Sequence, residues 1–408
     1  MSNKIRFMSL LAALCMGVAG AQTAYVSPLT GSLSGQDYSK VMKDSNTYYV
    51  YYTGNLIPYK TSPNRIAWTS GGTALAAAPA WFKTYVAGAG TDVWAPDIDY
   101  RSGQYWLYYA VSTFGSNVSV IGLATNTTLN PASANYKWVD RGAVIASVAA
   151  DSFNCIDPST SVDAHGSWWM SFGSFWTGIK LVRLDSISGK RSSTDTAIYS
   201  IANRTGGTTA IEGSFIFHYG SYYYLFVSWD KCCDGVSSTY NIRFGRSAAI
   251  TGPYVDMAGV AMMSGGGTLL DTSDSRWKGP GTGGVFVDND TVFLSLHAYD
   301  ANNGGTATLQ IRPLYFGTGW PSFTPSAGVR DQPSATPLPQ NPASEISVCS
   351  GDRFAIPPQF RGRVVSVSIY ALNGTLEKTL QTLRASLSLK RDAGISGGTH
   401  VVRCSPAQ

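Results

Sequence analysis

The 408-residue chain is poor in charge, with 13% Asp, Glu, Lys and Arg, about half the usual share. It has four histidines, six cysteines, no convincing amphipathic helix and, after its first 21 residues, no apolar run long enough to span a bilayer. These shortages exclude a helical bundle, a helical membrane protein and a Cys/His metal module. The net charge of +5 does not mark a nucleic-acid binder either. Lys4 and Arg6 lie in the N-terminal leader, and residues 341–408 carry eight basic against four acidic side chains, which leaves the body at −1. A near-neutral body with 12% aromatic residues suits a neutral ligand with flat apolar faces, such as a sugar.

The leader itself reads as an export signal. A basic start, an apolar stretch from Met8 to Val18 and Ala19-Gly20-Ala21 before Gln22 predict cleavage there and a secreted chain without a membrane span. In an oxidising compartment, Cys349 and Cys404 are a candidate disulfide pair. Cys155 is expected to stay unpaired in an apolar setting. Cys232-Cys233 admits a vicinal disulfide, and no further thiol or imidazole stands at ligand spacing to favour a metal.

Glycine is abundant, and Val, Tyr, Trp, Phe and Thr fill short runs broken by Gly, Asn, Asp and Ser. The body is therefore all-β. Aromatic pairs recur eleven residues after a fixed anchor: Asp37 to Tyr48, Trp94 to Tyr105, Asp157 to Trp168 and Glu212 to Tyr223. A degenerate copy has Val292-Phe293 with Gly281-Thr282 in the anchor position. Turns fall between at Ser45-Asn46, Ser102-Gly103, His165-Gly166, Tyr219-Gly220 and Asn289-Asp290. Five hairpins at this spacing predict a five-bladed β-propeller over residues 22–320. Residues 321–344, rich in Pro, Ser, Thr and Ala, read as a linker, and 345–408 as a small β-sandwich-like domain, a sorting or attachment module by loose likeness.

Equivalent positions of propeller blades converge at one end of the axis. Asp37, Trp94, Asp157, Glu212 and Thr282 should meet there, which gathers three carboxyls in an apolar surround and pushes their pKa values apart. One carboxyl as acid and one as base is the arrangement that glycoside hydrolysis uses. Counting from the Asn289-Asp290 turn places His297 opposite Thr282, facing the axis. Phe114, Phe175-Trp176 and Trp229 emerge at the same end, where they could stack on sugar rings or pack between blades. His165 and His218 sit in or beside turns, and His400 belongs to the tail.

Trp94-Ala95-Pro96-Asp97-Ile98, Val111 to Asn117, Ile156-Asp157-Pro158-Ser159, Ile211 to Phe215, Ser237 to Ile242, Ile250 to Tyr254 and His297-Ala298-Tyr299-Asp300 together resemble the endo-α-1,5-arabinanases of glycoside hydrolase family 43. The resemblance covers about residues 30–320. It implies an inverting enzyme that acts on arabinan or arabino-oligosaccharides, with Glu212 as general acid, Asp37 as base and Asp157 raising the pKa of the acid and orienting it; a monomer is expected. It further implies calcium supported by His297; substrate contacts are expected from Trp94, Phe114, Asn154 and Ser174. An inverting pair should stand roughly 6.5–9.5 Å apart. Two motifs depart from the family pattern: Gln36-Asp37-Tyr38-Ser39 replaces His-Asp-Pro-Ser, and Thr282 follows Gly279-Pro280-Gly281 where a histidine is usual. Rival readings are an exo-acting arabinofuranosidase or xylosidase and a non-catalytic carbohydrate-binding propeller.

Overall fold

A computed structural model describes residues 25–206, 208–325 and, in the C-terminal part, 345–350, 353–355, 365–370, 376–382, 386–395 and 399–406. The expected export signal and most of the expected linker lie outside these residues. Among the described residues, no helix is long and apolar enough to cross a membrane.

Five hairpins form the inner half of five sheets. They pair β1 (Met42–Asp44) with β2 (Thr47–Tyr51), β3 (Asp92–Arg101) with β4 (Gln104–Val111), and β5 (Ser159–Val162) with β6 (Trp168–Phe172). The last two pair β7 (Ile211–Tyr219) with β8 (Tyr222–Trp229) and β9 (Trp277–Asp288) with β10 (Thr291–Asp300). Further strands extend each sheet outward, and the order within every sheet is sequential enough to make each one a propeller blade. The turns of the first, second and fifth blades fall where the sequence puts them. In the third, Gly166 N–H bonds Asp163 O and centres the turn on Ala164-His165, and in the fourth Tyr219 pairs with Tyr222 and the turn is Gly220-Ser221.

The aromatic pairs have a common physical reason. Successive side chains on a strand point to opposite faces, so each pair sends one ring to each neighbouring blade. Tyr49 and Tyr105 share one apolar cluster, Trp106 and Trp168 the next, and Trp169 and Tyr223 the third. Tyr224 and Val292 share the fourth, and Phe293 packs with Tyr48 in the fifth. Five such clusters, each between consecutive blades, close the ring. The final seam is also hydrogen-bonded: Gly35 N–H reaches Ala307 O at 2.9 Å, and Leu309 N–H reaches Leu33 O at 2.8 Å. The segment before Asp37 thus adds a strand to the last blade, which otherwise has three.

In the C-terminal part a four-stranded sheet and a two-stranded sheet share one apolar cluster, with Val367, Ile369 and Val402 from one and Phe354 and Leu387 from the other. Its register overturns the expected Cys349–Cys404 pair. Cys349 stands opposite His400, and Cys404 opposite Glu345. Four rungs separate the two cysteines, about 13 Å along the strand, beyond the reach of a disulfide. Elsewhere Cys155 is free and buried, and Cys232 and Cys233 are joined.

Candidate active site

Each innermost strand enters the axis through one residue with left-handed backbone: Asp37 (φ 52°), Ala95 (38°), Asp157 (56°), Gly213 (57°) and Thr282 (34°). Four of the five carry a Cβ, so the conformation is costly and is held by its surroundings. The ladders slip at these points, between Trp94 and Asp97, between Glu212 and Phe215, and on both sides of Gly281. These bulges correct the simple eleven-residue phase. Trp94 and Glu212 come one residue before the axial position of their blades, and His297 faces Gly281 rather than Thr282.

The three carboxyls are brought together with a defined set of partners. Asp37 accepts a bond from Thr53 Oγ1 at 2.9 Å, while its own N–H donates to His297 Nδ1 at 3.1 Å. The Thr53 hydroxyl in turn accepts from Ala95 N–H at 2.8 Å, tying the first blade to the second. Asp157 Oδ2 accepts from Gly213 N–H at 3.0 Å and so reaches across to the backbone beside Glu212. Glu212 is gripped at both oxygens, by Ser174 Oγ at 2.5 Å and by Tyr240 OH at 2.8 Å. The Tyr240 hydroxyl also lies 3.4 Å from Thr282 Oγ1, whose backbone N–H is held by Ser228 Oγ at 3.0 Å. An axial cavity beneath is lined by Asp157, Ser159, Gly213, Thr282 and Asp97 among others.

Burial raises the pKa of all three carboxyls. Asp157 is pushed well above the usual range, first by burial and then by the charges of Glu212 and Asp37. Glu212 is raised by burial, with the Ser174 and Tyr240 hydrogen bonds opposing and the Asp37 charge adding. Asp37 is raised by burial and held back by the hydroxyls of Thr53 and Thr282. The repulsion between Glu212 and Asp157 is mutual, so the cluster does not carry three charges easily. It favours one protonated carboxyl beside an ionised one, which is what acid–base chemistry on a single bond requires.

His297 is fully buried and its pKa is lowered to about 3 by that burial. The ring is therefore neutral. Because Nδ1 accepts the Asp37 amide, the proton belongs on Nε2, and that buried atom has no hydrogen-bond partner among the described residues. No group of three His, Cys, Asp or Glu side chains converges to hold a metal among them either.

The other expected contacts differ in exposure. Trp94 is half-buried, and Phe114 stands 85% exposed in the loop after β4. Asn154 is buried with its amide spent inside the protein: Oδ1 accepts from Ser119 Oγ at 2.7 Å, and Nδ2 donates to Ser116 O at 3.3 Å. Asn154 thus braces the segment that carries Phe114. Ser174 points at Glu212. Thr53 and Tyr240 are partners that the sequence reading missed. A usable signal was there, since Thr53, Ser112, Ser174 and Ser228 all stand at or just beyond the end of the second strand of a blade.

A five-bladed propeller with a partly buried carboxyl cluster at one end of its axis defines a class: a carbohydrate-active enzyme of the glycoside hydrolase type. Residues 31–321 match the model of glycosyl hydrolases family 43, and the chain belongs to that family. It is 43% identical over 288 residues to an extracellular endo-α-(1→5)-L-arabinanase 1 of Bacillus subtilis, covering 69% of this chain and 86% of that one. It is 40% identical over 329 residues to the extracellular exo-α-(1→5)-L-arabinofuranosidase ArbA of Cellvibrio japonicus, covering 77% and 91%. The Cellvibrio cellulosa α-L-arabinanase solved with arabinohexaose is 39% identical, with a TM-score of 0.68 over 72% of this chain and 96% of that one.

Proposed function

We propose that the protein is a secreted, inverting glycoside hydrolase that cleaves internal α-1,5-L-arabinofuranosidic bonds of arabinan. The carrying observation is the paired environment of two carboxyls. Glu212 is partly buried with its pKa raised by that burial, and both its oxygens are fixed by hydroxyls. Asp37 keeps about a fifth of its side chain exposed and is backed by Thr53. In this reading Glu212 donates its proton to the leaving oxygen. Asp37 takes a proton from a water that attacks the opposite face of the sugar, and configuration inverts in a single displacement. Asp157, bonded to Gly213 N–H, positions the strand that carries the acid and opposes a second charge beside it.

Arabinan enters through the relatives, whose names specify arabinanase and arabinofuranosidase activities, and through the oligosaccharide complex of one of them. Exo action is the second reading, favoured by the Cellvibrio relative. The deciding experiment is sugar release from linear debranched arabinan by wild type and Glu212→Ala, with products resolved by length. Mixed oligosaccharides early in the reaction support internal cleavage; a single short product supports exo action. No release from folded wild type on arabinan, xylan or galactan would leave a carbohydrate-binding propeller. Anomeric proton signals of the first product report inversion or retention.

Export follows from the leader, and the relatives' names contain the word extracellular; an N-terminus at Gln22 in secreted protein would establish it. The monomeric state is tested by size-exclusion chromatography. A calcium ion at His297 is a proposal with a condition. Nε2 must lose its proton and Nδ1 must gain one, which breaks the bond from the Asp37 amide. With the proton on Nε2, as the bond from the Asp37 amide to Nδ1 implies, the ring is not a direct metal ligand. Activity that falls on chelation and returns with calcium supports the ion; activity indifferent to both retires it.

A further inference from the structure

We propose that the loop Lys231–Thr239, cross-linked by Cys232–Cys233, is a positioning element for Glu212, acting through the hydroxyl of Tyr240. The inference rests on the reading of Glu212 as the general acid.

The loop leaves the end of β8 and returns directly into Tyr240. Its neck is closed at one carbonyl: Lys231 O accepts from Thr239 N–H at 2.9 Å and from Tyr240 N–H at 3.0 Å. Lys231 N–H bonds back to Thr239 Oγ1 at 3.2 Å. The disulfide lies immediately beside that neck and removes freedom from the two residues that follow it. Inside the loop, Asp234 N–H reaches Ser238 Oγ at 3.0 Å. The backbone of the cross-link is tied to the last blade, where Cys233 N–H donates to Tyr299 OH at 2.8 Å.

That blade is shaped to receive the loop. A Cβ on Gly281 would stand 2.1 Å from the ring of Tyr240, and one on Gly279 would stand 2.6 Å from Ser238 Cβ. Only glycine admits contacts this close, which gives a physical role to Gly279-Pro280-Gly281. A Cβ on Gly305 would meet the Val236 backbone nitrogen at 2.9 Å. Tyr240 is thereby buried and aimed, and its hydroxyl meets Glu212 Oε1 at 2.8 Å. Tyr240 and Tyr299 also flank His297, with ring centroids 6.2 and 5.3 Å away.

The groups facing Glu212 are Ser174 and Asp157 from the third blade, Asp37 from the first, Tyr240 from its own, and Thr282 and Tyr299 from the last. Of these, the loop touches Tyr299 through the Cys233 amide and carries Tyr240 at its neck, and of that pair Tyr240 is the one hydrogen-bonded to Glu212. A hydroxyl that donates to a carboxylate favours its ionised form. Releasing Tyr240 therefore makes Glu212 hold its proton to higher pH.

The test compares Cys232→Ser/Cys233→Ser, Tyr240→Phe and their combination in the full chain. The pH dependence of kcat is measured on linear arabino-oligosaccharides, alongside carbon-13 titration of the Glu212 carboxyl, which needs no turnover. We expect the serine variant to lose about tenfold in kcat at neutral pH and to move its alkaline limb upward. Tyr240→Phe should move it in the same direction, and the combination should go no further than Tyr240→Phe alone. A folded serine variant with wild-type limb and titration overturns the proposal, as do shifts that add. Should the serine variant fail to fold, phosphine-reduced wild type replaces it, and an unmoved titration there overturns the proposal equally. Wild type that hydrolyses no arabinan refutes the assigned function instead, and the titration still decides the positioning role.

Discussion

Thr53→Val isolates what one hydroxyl does for the base. The Thr53 side chain donates to Asp37 Oδ2 at 2.9 Å and accepts from Ala95 N–H at 2.8 Å. Valine keeps the shape and removes both bonds. A hydrogen bond to an ionised group contributes about 1.5–3 kcal/mol, so ionised Asp37 becomes less favoured by about ten- to a hundredfold. The pKa of Asp37, already raised by burial, rises further, and a base must be ionised to act. The acid limb of kcat/KM, which reports the free enzyme, therefore moves to higher pH. Below that limb the variant should be about ten- to a hundredfold slower than wild type on arabino-oligosaccharides. The unpaired Ala95 amide adds a loss of about 1–3 kcal/mol in stability, read by denaturant unfolding. Thr53→Ser keeps the hydroxyl and should keep the limb. A folded Thr53→Val enzyme with an unmoved acid limb would refute the assignment of Asp37 as the titrating base.

Asp157→Asn should lower kcat and raise the melting temperature. The folded-state pKa of Asp157 is raised, so its folded stability is full below the unfolded value near 4 and declines as pH rises. The stabilisation by asparagine should accordingly vanish near pH 4 and grow toward neutrality in scanning fluorimetry; a gain independent of pH would contradict the charge argument. Lys40→Met strands buried Asp97, whose carboxyl lies 3.2 Å from the ammonium, and should cost about 3–5 kcal/mol in urea unfolding. Trp168→Ala empties the seam between the second and third blades, where its ring meets Trp106 at 5.2 Å. A loss of about 3–5 kcal/mol is expected, and a loss under 1 kcal/mol would mean that the seam does not hold the ring together.

Much of this protein is legible without coordinates because it is built from a local repeat. Pairs such as Tyr48-Tyr49 and Trp168-Trp169 announce blades, since a strand alternates its faces and each blade must satisfy two neighbours. The turns Ser45-Asn46 and Asn289-Asp290 follow from residues that tolerate left-handed backbone, a property of the residue itself. Asp37, Asp157 and Glu212 could be collected at one end by counting from those turns. Counting fails where a bulge inserts a residue. The phase error at Trp94, Glu212 and Thr282 arises because the left-handed step at each axial entry is set by crowding among five strands, which no single hairpin encodes. The Cys349–Cys404 pairing failed for a related reason, as register in the C-terminal sheet depends on which strands meet. The partners of the site were hidden most deeply. Thr53 reaches Asp37 from 16 residues away, Tyr240 reaches Glu212 from 28 and His297 reaches Asp37 from 260. Residue type alone therefore determined the repeat, the blades and the acids; the closure of the ring decided which hydroxyls and which ring nitrogen meet those acids, and with them what opposes the rise of each carboxyl's pKa.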